Sequence, residues 1–226
     1  MDYQTKYSLW LNDPAIDEET KNELRALTDQ KEIEERFYMD LEFGTAGLRG
    51  IMGAGTNRMN RYTVGKASLG LAMYLKKTFP DAAERGVVIA CDTRNNSTFF
   101  AKCAADVFTA EGIPTKLFDA PIPTPVLSFA VRHFGACAGV VVTASHNPSA
   151  YNGYKAYDET GCQLGPDAAD AVFSVMQSIS DWSRVPTKGD DRLLTMIGAE
   201  TLEEFEKAVL KQATFRDAEA KKNLKN

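Results

Sequence analysis

Ser145 stands in the run Thr143-Ala144-Ser145-His146-Asn147-Pro148, where a hydroxyl beside an imidazole can carry or receive a phosphoryl group. The run follows directly on Ala138-Gly139-Val140-Val141-Val142, a β-branched stretch bounded by Gly before and Asn-Pro after. Such a pattern reads as a buried strand that ends in a tight loop, which sets the Ser145 hydroxyl at the strand's carboxyl end. Ligands of open α/β sheets bind at that end. Successive backbone N–H groups of such a turn form an anion-binding concavity, so they can hold the oxygens of a phosphate on the serine. An isolated Ser-His-Asn is more often a solvated turn, so the neighbouring residues decide. Tyr151-Asn152-Gly153-Tyr154-Lys155 reads as an Asn-Gly turn that leads a lysine back toward the same loop. Upstream, Gly44-Thr45-Ala46-Gly47-Leu48-Arg49-Gly50 places Arg49 among small residues that let backbone approach a ligand closely.

The segments 143–148 and 151–155 together resemble the active-site loop of the α-D-phosphohexomutases, the phosphoglucomutase and phosphomannomutase family. A six-residue match at about one in twenty per position arises by chance on the order of once in 10⁷ to 10⁸ windows. Phe43 to Gly50 is similar to the amino-terminal motif of the phosphoglucomutase-like branch, in which the arginine points into the active site. The resemblance implies Ser145 as the phosphoryl carrier, Arg49 and Lys155 acting on the phosphoryl oxygens, Lys155 or His146 for proton transfer, and Thr45, His146 and Asn147 in the phosphate site. It further implies interconversion of a hexose 1-phosphate and a hexose 6-phosphate, of glucose or mannose, through a phosphoserine and a sugar 1,6-bisphosphate that also serves as activator. A phosphopentomutase or a sugar-bisphosphate synthase is the alternative within the family.

In the family Mg²⁺ is held by the phosphoserine, here Ser145, and by an Asp-Gly-Asp-x-Asp-Arg loop that this sequence lacks. Lys188-Gly189-Asp190-Asp191-Arg192 has a faint likeness to that loop but not its alternating carboxylates. The resemblance covers nearly all of the chain and about the first two fifths of a four-domain family member. The expectation is therefore a catalytic-serine domain, inactive alone, that takes a sugar phosphate and contacts domains II–IV of the same polypeptide. A self-sufficient, non-catalytic phosphate-binding domain is the rival. A serine hydrolase is disfavoured because Ala144-Ser145-His146 lacks the G-x-S-x-G elbow. Nucleotide loops fail on spacing: neither G-x-G-x-x-G nor G-x-x-x-x-G-K-[ST] is present in 44–50 or at Gly65-Lys66.

The elements that must position these residues alternate. Helical periodicity covers 17–27, 30–37, 62–78, 97–111, 126–134, 166–179 and 200–212, and strands are expected at 87–91, 115–118, 139–143 and 154–157, with a strand or ribbon in the Gly-rich segment. Strand and helix in this rhythm imply βαβ crossovers, hence a three-layer α/β/α sandwich with a mixed, mostly parallel sheet. The polar stretch 178–191 suggests a domain spanning 1–190, with 191–226 as a linker helix and the start of a second domain. Asp92 and Arg94, after the 87–91 strand, read better as a loop-bracing ion pair or cap than as phosphate ligands. His133 falls on a helix among apolar residues and reads as packing.

Composition sets the wider bounds. With 44% hydrophobic and 25% charged residues and a net charge of −5, the chain has an ordinary globular balance and no basic surplus for nucleic acid or an anionic membrane. No apolar run is long enough to span a bilayer, and the start lacks a signal peptide's basic and apolar regions. Four cysteines without C-x-x-C spacing point to reduced thiols and a cytoplasmic setting. Charge is segregated: 13–42 holds eleven acids and four bases, whereas 43–80 holds six bases and no acid. The first segment reads as a solvated acidic leader and the second as a positive field.

Overall fold

The computed structural model describes residues 1–44 and 47–212. Six strands form one sheet: β1 (Gly47–Ile51), β2 (Val87–Cys91), β3 (Thr115–Phe118), β4 (Ala138–Val142), β5 (Tyr151–Asp158) and β6 (Leu194–Ile197), in the spatial order β1-β5-β4-β2-β3-β6. The pairs β4–β2, β2–β3 and β3–β6 are parallel, while β5 runs antiparallel to both β4 and β1. β2 and β4 are buried at every position, as strands covered on both faces must be, and this accounts for their unbroken Val, Ile and Ala runs.

The helices are α1 (Tyr3–Asn12), α2 (Glu18–Arg25), α3 (Gln30–Phe37), α4 (Arg61–Thr78), α5 (Ala82–Arg85), α6 (Ser97–Ala110), α7 (Thr124–Phe134), α8 (Pro166–Ser178) and α9 (Ala199–Gln212). One face of the sheet packs Val87, Ile89, Val140, Val142, Tyr154 and Ala156 against α4, α6 and α8. The other packs Val88, Ala90, Val141 and Tyr157 against α7, with Leu202 and Phe205 of α9 beside them. The chain is thus the expected three-layer α/β/α sandwich with a mixed sheet. Helix α4 starts at a full capping box, Asn60 accepting from Thr63 N while Thr63 Oγ1 accepts from Asn60 N. No helix among the described residues is long and apolar enough to cross a membrane.

Helices α1 and α5 were not expected from the sequence, and two differences bear on the sheet itself. Asn152-Gly153 is not a turn: it lies inside β5, which begins at Tyr151, because the chain has already reversed at Pro148–Tyr151, where Tyr151 N donates to Pro148 O. The sheet also continues past residue 190. β6 pairs with β3 from Thr115↔Leu194 to Phe118↔Ile197, and α9 packs on α7 through Phe129 and Phe205. A four-residue strand on a sheet edge, half exposed, has neither the length nor the apolar run that marks a strand in sequence.

Helices α2 and α3 lie in the acidic segment, and with α1 they build a separate small core of Trp10, Ile16, Leu24, Ile33, Phe37, Ala54 and Tyr62. Their carboxylates neutralise the basic segment that follows. Glu35 pairs with the buried Arg58, Asp17 with Arg61 at 3.7 Å, and Asp40 with Lys66 at 3.6 Å. The leader is therefore only partly solvated, and its charge is complementary to the surface it covers. The hydrogen bond from Arg58 holds the Glu35 carboxyl below its ordinary value, against a smaller opposing effect of burial. Burial raises Asp40, but the hydrogen bond and charge of Lys6, with the charge of Lys66, outweigh it and hold that carboxyl low as well.

Because these folded-state values are depressed, the pairs stabilise the fold above the unfolded carboxylate range, and that contribution is lost as pH falls through it. Both tryptophans, Trp10 and Trp182, sit in this layer with ring centroids 5.2 Å apart. Their emission should shift to the red between about pH 4.5 and 3, ahead of the far-UV signal of the sheet. Glu35→Ala, which orphans a buried guanidinium, should lower stability by about 1–3 kcal/mol at neutral pH and weaken that acid transition. Coincident acid transitions by both probes, unchanged in the variant, would contradict it.

Candidate active site

At the carboxyl end of β4 the backbone turns sharply. Thr143 Oγ1 donates to Asp92 Oδ2 at 2.5 Å and accepts from Ser145 N at 2.9 Å, which ties the turn to the end of β2. Ser145 has φ +56°, a left-handed conformation that costs a residue with a Cβ roughly 1–2 kcal/mol. Glycine is the usual residue for such a place, so a serine here keeps its hydroxyl against a local preference. Its Oγ lies 3.3 Å from His146 Nδ1 and is exposed.

Arg49 and Lys155 reach this corner from neighbouring antiparallel strands. The register sets Arg49 opposite Gly153 and Gly47 opposite Lys155, so the two cations are diagonal neighbours on one face. Leu48 and Tyr154, one residue along, point into the core, at 2% and 0% exposure. Glycines at the two opposing positions let the strands close: a Cβ on Gly47 would lie 1.8 Å from Tyr154 O, and one on Gly153 2.5 Å from Thr143 O. Arg49 donates to Asn147 Oδ1 at 3.3 Å, which links β1 to the serine loop. Among the described residues no carboxylate forms an ion pair with Arg49 or Lys155.

An open cleft of about 500 Å³ lies between them, lined by Glu42, Gly47, Arg49, Thr143, Lys155 and Gln163 among others. Two cations without a carboxylate partner among the described residues, beside an exposed hydroxyl, suit a phosphoryl group on a small ligand. The structure thus brings together Ser145, His146, Asn147, Arg49 and Lys155. Thr45 lies outside the described residues. His133 is exposed and stacks on Phe129 at 5.2 Å rather than entering the core.

The described residues include no group of three or more His, Cys, Asp or Glu that could hold a metal ion. Ser145 could offer one phosphate oxygen to a cation, and the remaining ligands would have to come from elsewhere. The Lys188–Arg192 segment is no substitute. Asp190 binds Arg192 at 2.6 Å, and Gly189 N donates to Asp106 Oδ1 at 3.1 Å, so the segment serves as packing against α6. All four cysteines are free thiols.

Glu42 and Gln163 line the cleft without having been singled out in sequence, and Asn152, read there as part of a turn, is a buried brace behind it. Fully buried, Asn152 donates to Asn95 O and Ser97 Oγ at 2.9 Å each and accepts from Gly153 N. A polar residue in an otherwise buried strand was the available signal. Asp92 and Arg94 brace the loop, Asp92 Oδ1 accepting from Ser97 Oγ at 2.7 Å and from Arg94 N at 2.9 Å.

The family model described as phosphoglucomutase/phosphomannomutase, alpha/beta/alpha domain I, matches residues 40–182. A Schizosaccharomyces pombe protein named "Probable phosphoribomutase" is 47% identical over 66% of this chain and 26% of its own length. The phosphoglucomutase of Staphylococcus saprophyticus is 42% identical over 76% of this chain and 30% of its own. The crystal structure of a Thermus thermophilus protein superposes with a TM-score of 0.63 at 27% identity, over 79% of this chain and 37% of its own. The chain thus spans less than a third of the length of these curated relatives.

Closure at Gly153 is testable. A methyl there meets two carbonyl oxygens, of Thr143 at 2.5 Å and Leu48 at 3.0 Å, neither of which is a flexible side-chain end. Gly153→Ala should cost about 1–3 kcal/mol, the range for overpacking, and lower the thermal midpoint by about 2–4 °C per kcal/mol. A midpoint unchanged by calorimetry would mean that the strands have slack at the cleft.

Proposed function

We infer the function from one premise: the chain belongs to the phosphoglucomutase/phosphomannomutase family and carries its α/β/α domain I. It is the catalytic-serine domain of a sugar-phosphate mutase, and the whole protein interconverts a hexose 1-phosphate and a hexose 6-phosphate. The observation that carries this reading is the convergence of Arg49 and Lys155, both without a carboxylate partner among the described residues, on the loop that presents Ser145.

Moving a phosphate between two hydroxyls of one sugar is geometrically awkward in a single step, and a covalent carrier divides it into two in-line displacements. In the first, the bond from phosphorus to Ser145 Oγ breaks as a bond forms to the sugar hydroxyl. The proton of that hydroxyl leaves to a base, and the serine oxygen regains a proton. In the second, Ser145 Oγ bonds to the other phosphate of the sugar bisphosphate as the bond from that phosphorus to the sugar oxygen breaks; the serine proton passes to a neighbouring base, and the departing sugar oxygen takes up a proton. His146 Nδ1, 3.3 Å away, and Lys155 are the candidates for that base. Arg49 can contact two equatorial oxygens with its planar fork, and Lys155 supplies a point charge. Asn147 holds Arg49 against the loop. Thr45 is assigned to the phosphate site by resemblance alone. Magnesium, when bound to the phosphoserine, would offset charge on the transferring group; its carboxylate ligands would come from another part of the protein, as would the groups that read the sugar.

The phosphoribomutase among the relatives favours a second reading of the substrate, a pentose phosphate handled by the same serine chemistry. Cytoplasmic location and contacts with further domains belong to the same proposal.

The test is to incubate the full-length protein with glucose 1,6-bisphosphate and map the added phosphate by mass spectrometry. Label is expected on Ser145 and none on a Ser145→Ala variant; stable label elsewhere in an active Ser145→Ala protein would reject the assignment. Comparing turnover of glucose 1-phosphate and ribose 1-phosphate separates the two substrate readings. Arg49→Lys and Lys155→Met should each lower kcat by about 10²-fold or more with little change in thermal midpoint. A variant that instead melts several degrees earlier while keeping normal kcat would show that its residue is structural.

A further inference from the structure

Arg94 lies beside the serine loop and carries the right charge for a phosphate, yet its donors are already spent. Nη1 donates to Pro148 O at 3.1 Å and Tyr151 O at 3.2 Å, and Nη2 to Ser145 O at 2.7 Å and Asn147 O at 2.5 Å. A guanidinium has five N–H donors. Four are taken up by these carbonyls, and the fifth, on Nε, faces Asp92 Oδ2 at 3.5 Å. None remains for a ligand oxygen. Arg94 nevertheless touches the backbone of the one residue whose geometry the chemistry needs, Ser145 itself.

We propose that Arg94 is the positioning residue of the serine: by gathering four carbonyls of 145–151 around one guanidinium, it holds Ser145 in its left-handed conformation with the hydroxyl turned to the cleft. This rests on the phosphoryl-carrier reading of Ser145. Asp92 is the anchor that makes the arrangement rigid, because it pairs with Arg94 while accepting from Thr143 Oγ1, whose oxygen accepts in turn from Ser145 N. The serine peptide is therefore held at its N–H by Thr143 and at its carbonyl by Arg94, both fastened to the single carboxylate at the end of β2. The Arg94 side chain is 15% exposed, and its bonds to Tyr151 O and Asn147 O are partly buried. Ser145 N and Asn147 N are bonded within the turn, to Thr143 Oγ1 and Ala144 O, and the guanidinium offsets the negative ends of the four carbonyls that would otherwise repel an anion on the serine. Lysine cannot reproduce this, because a single ammonium with three donors lacks the planar fork.

Two measurements on the full-length protein test the proposal. In the first, hydrogen exchange of residues 144–151 should rise in Arg94→Ala and Arg94→Lys while exchange in β2 and α4 stays as in the parent. In the second, the single-turnover rate of Ser145 phosphorylation by glucose 1,6-bisphosphate should fall on the order of 10²-fold in both variants, the scale expected for misplacing a reacting group by about 1 Å. KM should change much less than kcat, and added guanidinium should recover part of the rate in Arg94→Ala but not in Arg94→Lys. Loop exchange unchanged in either variant overturns the proposal whatever the chemistry of Ser145. So does a rise in KM at constant kcat, which would make Arg94 a ligand-binding residue, or full activity of Arg94→Lys. If the parent protein takes no phosphate on Ser145, the functional reading fails by itself, and the exchange measurement still decides whether Arg94 orders the loop.

Discussion

The two-residue period of a β-strand governs where the two cations of the cleft can be. On β1 and β5, Arg49 and Lys155 alternate with Leu48 and Tyr154, so the face that presents the cations is the reverse of the face that packs against α4, α6 and α8. A slip of one residue in either strand would send a cation among apolar side chains and a leucine or tyrosine into water. Tyr154 is fully buried, its hydroxyl bonded to Ser68 at 3.3 Å, and burial drives its phenol well above the ordinary range. It acts as a lock on register. The close passage of Gly47 beneath Tyr154 O and of Gly153 beside Thr143 O works to the same end, since neither strand could shift without striking backbone.

Charge is sorted by the same economy of placement. The acidic amino-terminal helices lie against the basic segment that follows them and neutralise Arg58, Arg61 and Lys66, while Lys76 pairs with Glu111 of the turn after α6. Arg49 belongs to that basic segment and has no carboxylate partner among the described residues. An anion approaching the sheet therefore meets the cations of the cleft, whereas several others are already satisfied within the fold. Pairs between exposed groups contribute little to stability, but each one also removes a competing site for phosphate.

Much of this was legible in the sequence, for identifiable reasons. β2 and β4 announce themselves because burial on both faces demands continuous apolar residues, and α4, α6 and α8 because their apolar stripes keep helical spacing. The serine loop stood out through its place after such a strand. The Asn152-Gly153 pair misled because its composition favours a turn, whereas its roles here are burial of a bonded amide and clearance for Thr143 O. β6 was hidden because a short edge strand is held by backbone bonds to β3, which leave little mark on side-chain choice. The four carbonyl bonds of Arg94 were beyond reach as well: an Asp-x-Arg after a strand suggests a brace, but not that its partners lie fifty residues on.

The partnership of β1 with β5 also bears on how the molecule comes into being. Arg49 faces Gly153, 104 positions further along (153 − 49), and β2, β3 and β4 with their crossover helices lie between them. Contacts so distant in sequence carry a closure entropy that other interactions must meet. Arg49 and Lys155 are thus neighbours only when the chain between them is folded and β1 is paired with β5. With β1 unpaired, the serine turn would keep its ties to Asp92 and Arg94, but the cleft would lack Arg49 and so its concentrated positive corner. The positive corner is in this sense a property of the completed sheet rather than of any one motif.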